Sequence, residues 1–226
     1  MMETFYTAIG KFEIYTDKHG KRFPVVRNGR EMYCITMEEL LIWSSLLYNV
    51  CTFEIAEKLF HEKEQEYRVW RTGRFEDYME QLEQKGLVLS GTGWIPADAI
   101  YDLIGNLHIF PRKIKLSEQL KRFCELTIKR KIPVYITKRL FARIRYTDDQ
   151  KKLLKLLNHS SLSADELIYC VDHQITEIPS PEKLSDRIWS DSEGNNWSGS
   201  SSENRNWVIQ EIVNLYLWKQ IDLQIK

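Results

Sequence analysis

The chain opens on short β-favouring runs. Phe12–Tyr15, Phe23–Val26 and Met32–Ile35 are separated by the turn-forming stretches Asp17-Lys18-His19-Gly20 and Asn28-Gly29. That punctuation predicts a small antiparallel sheet. From Thr36 the period lengthens. Thr36 and Glu39 form a capping box, and Leu40, Leu41, Ser44 and Leu47 recur at helical spacing, which predicts a helix over residues 37–48. Thr52 caps a second helix with Ile55, Ala56, Leu59 and Phe60 on its apolar face, and the polar residues 61–71 read as a loop or a fraying helix end. A third helix over residues 75–85 places Phe75, Tyr78, Met79 and Leu82 on one face, and Gly86 stops it. Leu87-Val88-Leu89 then reads as a strand, Gly91-Thr92-Gly93 as its turn, and Trp94 as the start of the return arm.

Downstream, residues 97–107 suggest a helix ending near Gly105. Leu116–Lys131 suggests another, with Leu116, Leu120, Phe123, Cys124 and Ile128 inward and Pro133 as the stop, and Val134–Ile136 is a short strand candidate. Thr147 can cap a helix over Gln150–Leu157, and Ser163 with Glu166 makes a second capping box before a helix over Asp165–His173. Residues 190–204, rich in Ser, Asn and Gly, read as a flexible insertion. A final helix, Asn206–Lys219, carries Val208, Ile212, Leu215 and Leu217 and passes into a strand over Ile221–Ile225. This ending echoes an earlier one. Tyr78–Leu82 leads to Leu87-Val88-Leu89 as Ile212–Leu215 leads to Ile221-Asp222-Leu223.

Three helices followed by a two-stranded hairpin, over residues 36–95, resemble the winged-helix family. The fold expected from that resemblance is α+β: two winged-helix-like units, each a helical bundle with small antiparallel sheets, joined by a basic helical connector. Residues 1–111 would form the N-terminal unit with its preceding hairpin, 112–146 the connector, and 147–226 the second unit. Many winged helices bind DNA and others bind only proteins.

Charge makes the connector conspicuous. The 226-residue chain is formally neutral. Residues 112–145, however, hold twelve Lys and Arg against Glu118 and Glu125, a net charge of +10. The flanks are acidic, with twelve bases against 17 acids before the segment and eight against 13 after it. Such a stretch attracts phosphate or acidic partners locally; its plainer reading is a solvated face that balances the flanks. Four scattered cysteines without a CxxC pair point to reduced thiols in the cytoplasm. No signal peptide or membrane-length apolar run is legible, so no membrane partner is expected. Assembly of a homo-oligomer, basic middle against acidic flank, is compatible with the same pattern.

Nucleic-acid binding is the leading functional expectation, in the manner of a transcriptional regulator on duplex DNA. Phosphate contacts would come from Lys121, Arg122, Lys129, Arg130, Lys131, Lys138, Arg139, Arg143 and Arg145. The third helix is a poor reader, because Glu76, Asp77, Glu80 and Glu83 would repel phosphate. The C-terminal helix is better suited, with Arg205, Gln210 and Asn214 of types that hydrogen-bond base edges. A second resemblance offers an alternative. The hairpin-rich start, Thr36–Leu47 and Thr52–Leu59 are similar to small peptide-binding domains of the PqqD type, which dock a precursor peptide as an added strand beside their sheet and third helix. That resemblance implies a peptide- or protein-recognition module and tolerates an acidic third helix.

No catalytic residue, metal site or cofactor is expected. Cys170 and His173 are one lone pair at helical spacing, His61-Glu62-Lys63-Glu64 lacks a second His, and Gly91-Thr92-Gly93 is not followed by Lys and Ser or Thr. The chain reads as a non-enzyme.

Overall fold

A computed structural model describes residues 2–69, 72–112, 146–159, 161–176 and 202–225, together with 178, 183, 184, 186 and 188. The fold is α+β, helices packed on small antiparallel sheets. In order, the chain forms β1 (Glu3–Ala8), β2 (Lys11–Thr16), β3 (Arg22–Asn28), β4 (Glu31–Cys34), α1 (Met37–Leu46), α2 (Phe53–Tyr67), α3 (Phe75–Gln84), β5 (Val88–Gly93), α4 (Pro96–Ile104) and β6 (His108–Pro111). After the basic segment come α5 (Asp148–His159), β7 (Leu162–Ser163), α6 (Ala164–Asp172), α7 (Ser202–Leu217) and β8 (Ile221–Gln224). The expected helix over Leu116–Lys131, the strand over Val134–Ile136 and residues 190–201 of the expected insertion lie outside the described residues, whereas the last three residues of that insertion, 202–204, form the first turn of α7 and are not a flexible loop.

Strands β2, β3 and β4 form the expected meander, with Asn28 paired to Glu31 across Gly29-Arg30. β1 was not expected, and it changes the role of the residues around Gly91. It pairs antiparallel with β5 from Glu3↔Gly93 to Ala8↔Val88. The expected wing hairpin is therefore not formed: Gly91-Thr92-Gly93 continue β5, and Trp94 leads into α4 instead of a return arm. The two glycines have a packing reason. A Cβ on Gly91 would meet the Leu103 amide nitrogen at 2.3 Å and the Ala99 carbonyl oxygen at 2.4 Å, so α4 lies directly on this strand. The polar tail of the second helix is also corrected. α2 runs on to Tyr67 and ends at Arg68 in the left-handed conformation, φ 52°.

Element order and register recur along the chain. Thr36, Cys51 and Thr52 correspond to Thr147, Leu162 and Ser163 at one constant offset. Thr36 and Thr147 each accept from the third residue's amide, and the side chains of Glu39 and Gln150 return the bond. Cys51 exchanges backbone bonds with Tyr6 of β1 at 2.8 and 3.2 Å, as β7 pairs with β6. α3 turns into β5 through Gly86 (φ 62°), and α7 turns into β8 through Lys219 (φ 59°). The closing bonds also match: Leu87 N–H to Leu82 at 2.9 Å and Gln220 N–H to Leu215 at 2.8 Å. In each half a strand from upstream sits at the centre of the sheet, β1 between Cys51 and β5, β6 between β7 and β8.

The apolar side chains gather in two clusters. One joins Val26, Ile42, Leu46, Phe60, Phe75, Met79 and Leu82. The other joins Leu103, Ile104, Ile109, Leu153, Leu167, Ile212 and Leu223, and it takes in Ile9. The two clusters meet at a seam where α4 lies on β5. The expected boundary at residue 111 falls at the end of β6, which pairs with β8 from Pro111↔Ile221 to His108↔Gln224.

Candidate functional site

Among the twelve residues expected to contact nucleic acid, Lys121, Arg122, Lys129, Arg130, Lys131, Lys138, Arg139, Arg143 and Arg145 lie outside the described residues. The three on α7 differ in setting. Arg205 turns onto α4, where its guanidinium lies 3.9 Å from the Tyr101 ring centroid and 3.3 Å from the Asp98 carboxylate. Tyr101 in turn donates to Asp165 at 2.5 Å, and burial with that bond pushes its phenol up to about 12. Gln210 is exposed and Asn214, one turn on, is half-buried. The partners that hold Arg205 are far away in sequence, so its captivity had no local signal. On α3, Glu76, Asp77 and Glu80 face solvent, and Lys85, just past the end of the helix, pairs with the buried carboxylate of Glu39.

Among the described residues the outer edge of β4, like that of β2, pairs with no other strand. Ile35 donates to the Pro24 carbonyl at 3.3 Å, which fixes Pro24–Ile35, Val26–Tyr33 and Asn28–Glu31 as the hydrogen-bonded pairs. In an antiparallel ladder the intervening residues point their backbone groups away from the partner strand. Met32 and Cys34 therefore present N–H and C=O outward, and no strand among the described residues pairs there. Both side chains are exposed, Met32 at 48 %.

Beside this edge runs a groove of about 760 Å³. Glu31 and Tyr33 of β4 form one wall, Gln84, Lys85 and Gly86 at the end of α3 the other, and Ile225 after β8 closes one side. The turn is tied to the helix end by Asn28, whose Nδ2 donates to the Gly86 carbonyl at 3.0 Å. The Asn28 Oδ1 is buried and has no donor. An acceptor left this way costs about 1–3 kcal/mol unless something supplies a proton. The Tyr33 hydroxyl donates to Glu31, a bond that raises its pKa above the ordinary phenol value.

Gly29 also borders a second, polar cleft of about 360 Å³ at the seam. Its floor is Tyr48, which packs on Tyr216 with centroids 5.2 Å apart. The Tyr48 hydroxyl donates to Asp222 at 2.5 Å and accepts from Arg112 Nη1 at 2.7 Å. Burial, then the bond to Asp222, raises this phenol far above its ordinary value, so it stays protonated throughout the working pH range. Arg112 and Lys219 lie over the Tyr48 ring at 5.2 and 5.6 Å from its centroid.

Among the described residues, no cluster of three or more His, Cys, Asp or Glu side chains is placed to hold a metal ion, and no helix is long and apolar enough to cross a membrane. Cys34, Cys51 and Cys170 are free thiols. No family model, curated protein or solved structure matches the chain.

Proposed function

We propose that this chain is a peptide-recognition module that takes an extended segment of its ligand as an added strand on β4, alongside α3. The observation that carries the reading is the β4 edge, unpaired among the described residues, with a helix-walled groove beside it. Backbone bonds to Met32 and Cys34 would give affinity, and side chains alternating into the groove would give selectivity. The order meander, α1, α2, α3 agrees with the peptide-binding resemblance of the N-terminal half. The acids on α3 do not oppose such a ligand, as they would oppose phosphate. The module works without catalysis, as a reduced cytoplasmic protein.

Strand addition has a selective test. Met32 sits at a position whose N–H points away from β3, so proline there removes an outward donor and no ladder bond. A displayed library of random 12-residue peptides is selected on the full chain. The expected binders lose at least tenfold in affinity for Met32→Pro, while the variant keeps its circular dichroism. Binders insensitive to this change, or no binders at all, contradict the reading.

The basic segment supports a second reading, duplex DNA held by phosphate contacts, with the halves as winged-helix-like units. Titration of a DNA duplex at rising salt checks it: binding must weaken steeply with salt, and an absence of binding at low salt removes it.

A further inference from the structure

We infer that the seam cleft extends the β4 groove and reads an acidic side chain of the docked peptide through Arg112; this rests on the peptide reading above. The two hollows adjoin at Gly29. Gly29 lines both, and Asp222, Leu223 and Gln224 of β8 line one where Ile225 lines the other. A strand leaving β4 past the turn enters the cleft without leaving the surface.

Arg112 suits a carboxylate and pairs with none among the described residues. Its backbone N–H is fixed to the Gln220 carbonyl at 2.7 Å, at the end of β6. Its half-buried guanidinium rests on Tyr48 and spends one donor on the phenol oxygen. Tyr48 stands between Arg112 and Asp222, so the two charges meet the same hydroxyl and not each other. Among the described residues no carboxylate pairs with Arg112, whereas nearby Arg27 is taken by Glu13 at 3.0 Å. Guanidinium carries five donors in a rigid fork that matches a carboxylate. With its backbone fixed and its guanidinium held over the Tyr48 ring by one side-chain hydrogen bond, Arg112 loses little freedom on binding, so the pairing is pre-organised. Lys219 over the same ring adds positive charge, and Lys11 at the rim shares Glu13 with Arg27. An aspartate or glutamate is therefore the expected occupant, one or a few residues beyond the segment paired with β4.

The test uses the Met32→Pro-sensitive peptides and the full-length protein. They should share an acidic residue at a fixed distance from their β-pairing core. Changing that residue to its amide should cost about tenfold in affinity for the wild type and nothing for Arg112→Gln. Arg112→Lys, which keeps the charge but not the fork, should retain only part of the discrimination. The peptide-side exchange leaves the protein untouched, so it reads out even if Arg112→Gln does not fold. Sensitive peptides without an acidic residue, or equal binding of acid and amide by the wild type, overturn the inference and leave the β4 reading standing. Failure to select any sensitive peptide overturns both.

Discussion

Single side chains are held here by burial as much as by partners, and the cysteines make this measurable. Cys51 and Cys170 are buried, and burial pushes their thiols from the ordinary 9.0 up to about 11 and about 12. Cys34 is exposed on β4. Iodoacetamide at pH 8 and then peptide mass mapping should therefore find Cys34 modified quickly, and Cys51 and Cys170 unmodified until the protein unfolds. Groups kept neutral by folding contribute stability that is complete below their unfolded pKa and is lost as pH rises through the folded one. Tyr101, raised to about 12, acts in the same direction. The melting temperature should fall as pH climbs from 9 towards 11, and Cys170→Ala should make the fall shallower. At this scale most local devices were readable, although Thr52, expected to cap the second helix, stands at the N-cap of α2 without a side-chain capping bond. The boxes Thr36–Glu39 and Ser163–Glu166 are short-range patterns, and both form. The Tyr48, Arg112 and Asp222 set joins three distant stretches, so no window of sequence contains it.

Elements were legible where their period was local. The meander and α1, α3, α6 and α7 lie close to where the apolar spacing puts them. β1 was missed because its partner β5 enters some 80 residues later, and nothing near Glu3–Ala8 announces the pairing. For the same reason Gly91-Thr92-Gly93 read as a turn: glycines needed for close approach of a helix have the composition of a turn. Gly91→Ala should cost about 3 kcal/mol in urea unfolding, because the clash is with helix backbone and not with a movable side chain. The two helix exits give a paired expectation. Gly86→Ala should lose about 1 kcal/mol and Lys219→Gly should gain about as much, since both sites are left-handed and only the first has the residue suited to it.

Across the whole molecule the halves are joined by more than apolar contact. Tyr216 of α7 is 2 % exposed, donates to the Ala8 carbonyl at 2.7 Å and accepts the Tyr48 amide at 3.1 Å. Thr7 Oγ1 lies 3.1 Å from the same hydroxyl, and Ile9 enters the second cluster. Tyr216→Phe orphans the Ala8 and Tyr48 groups and should cost about 1–3 kcal/mol, with fluorescence and circular dichroism still reporting one transition. Backbone amide hydrogen exchange, read by NMR with and without a selected peptide, tests the edge of β4 most directly. Strand addition predicts that the Met32 and Cys34 amides gain protection of at least tenfold on binding. Binding that protects other amides and leaves these two exchanging as in the free protein would contradict it.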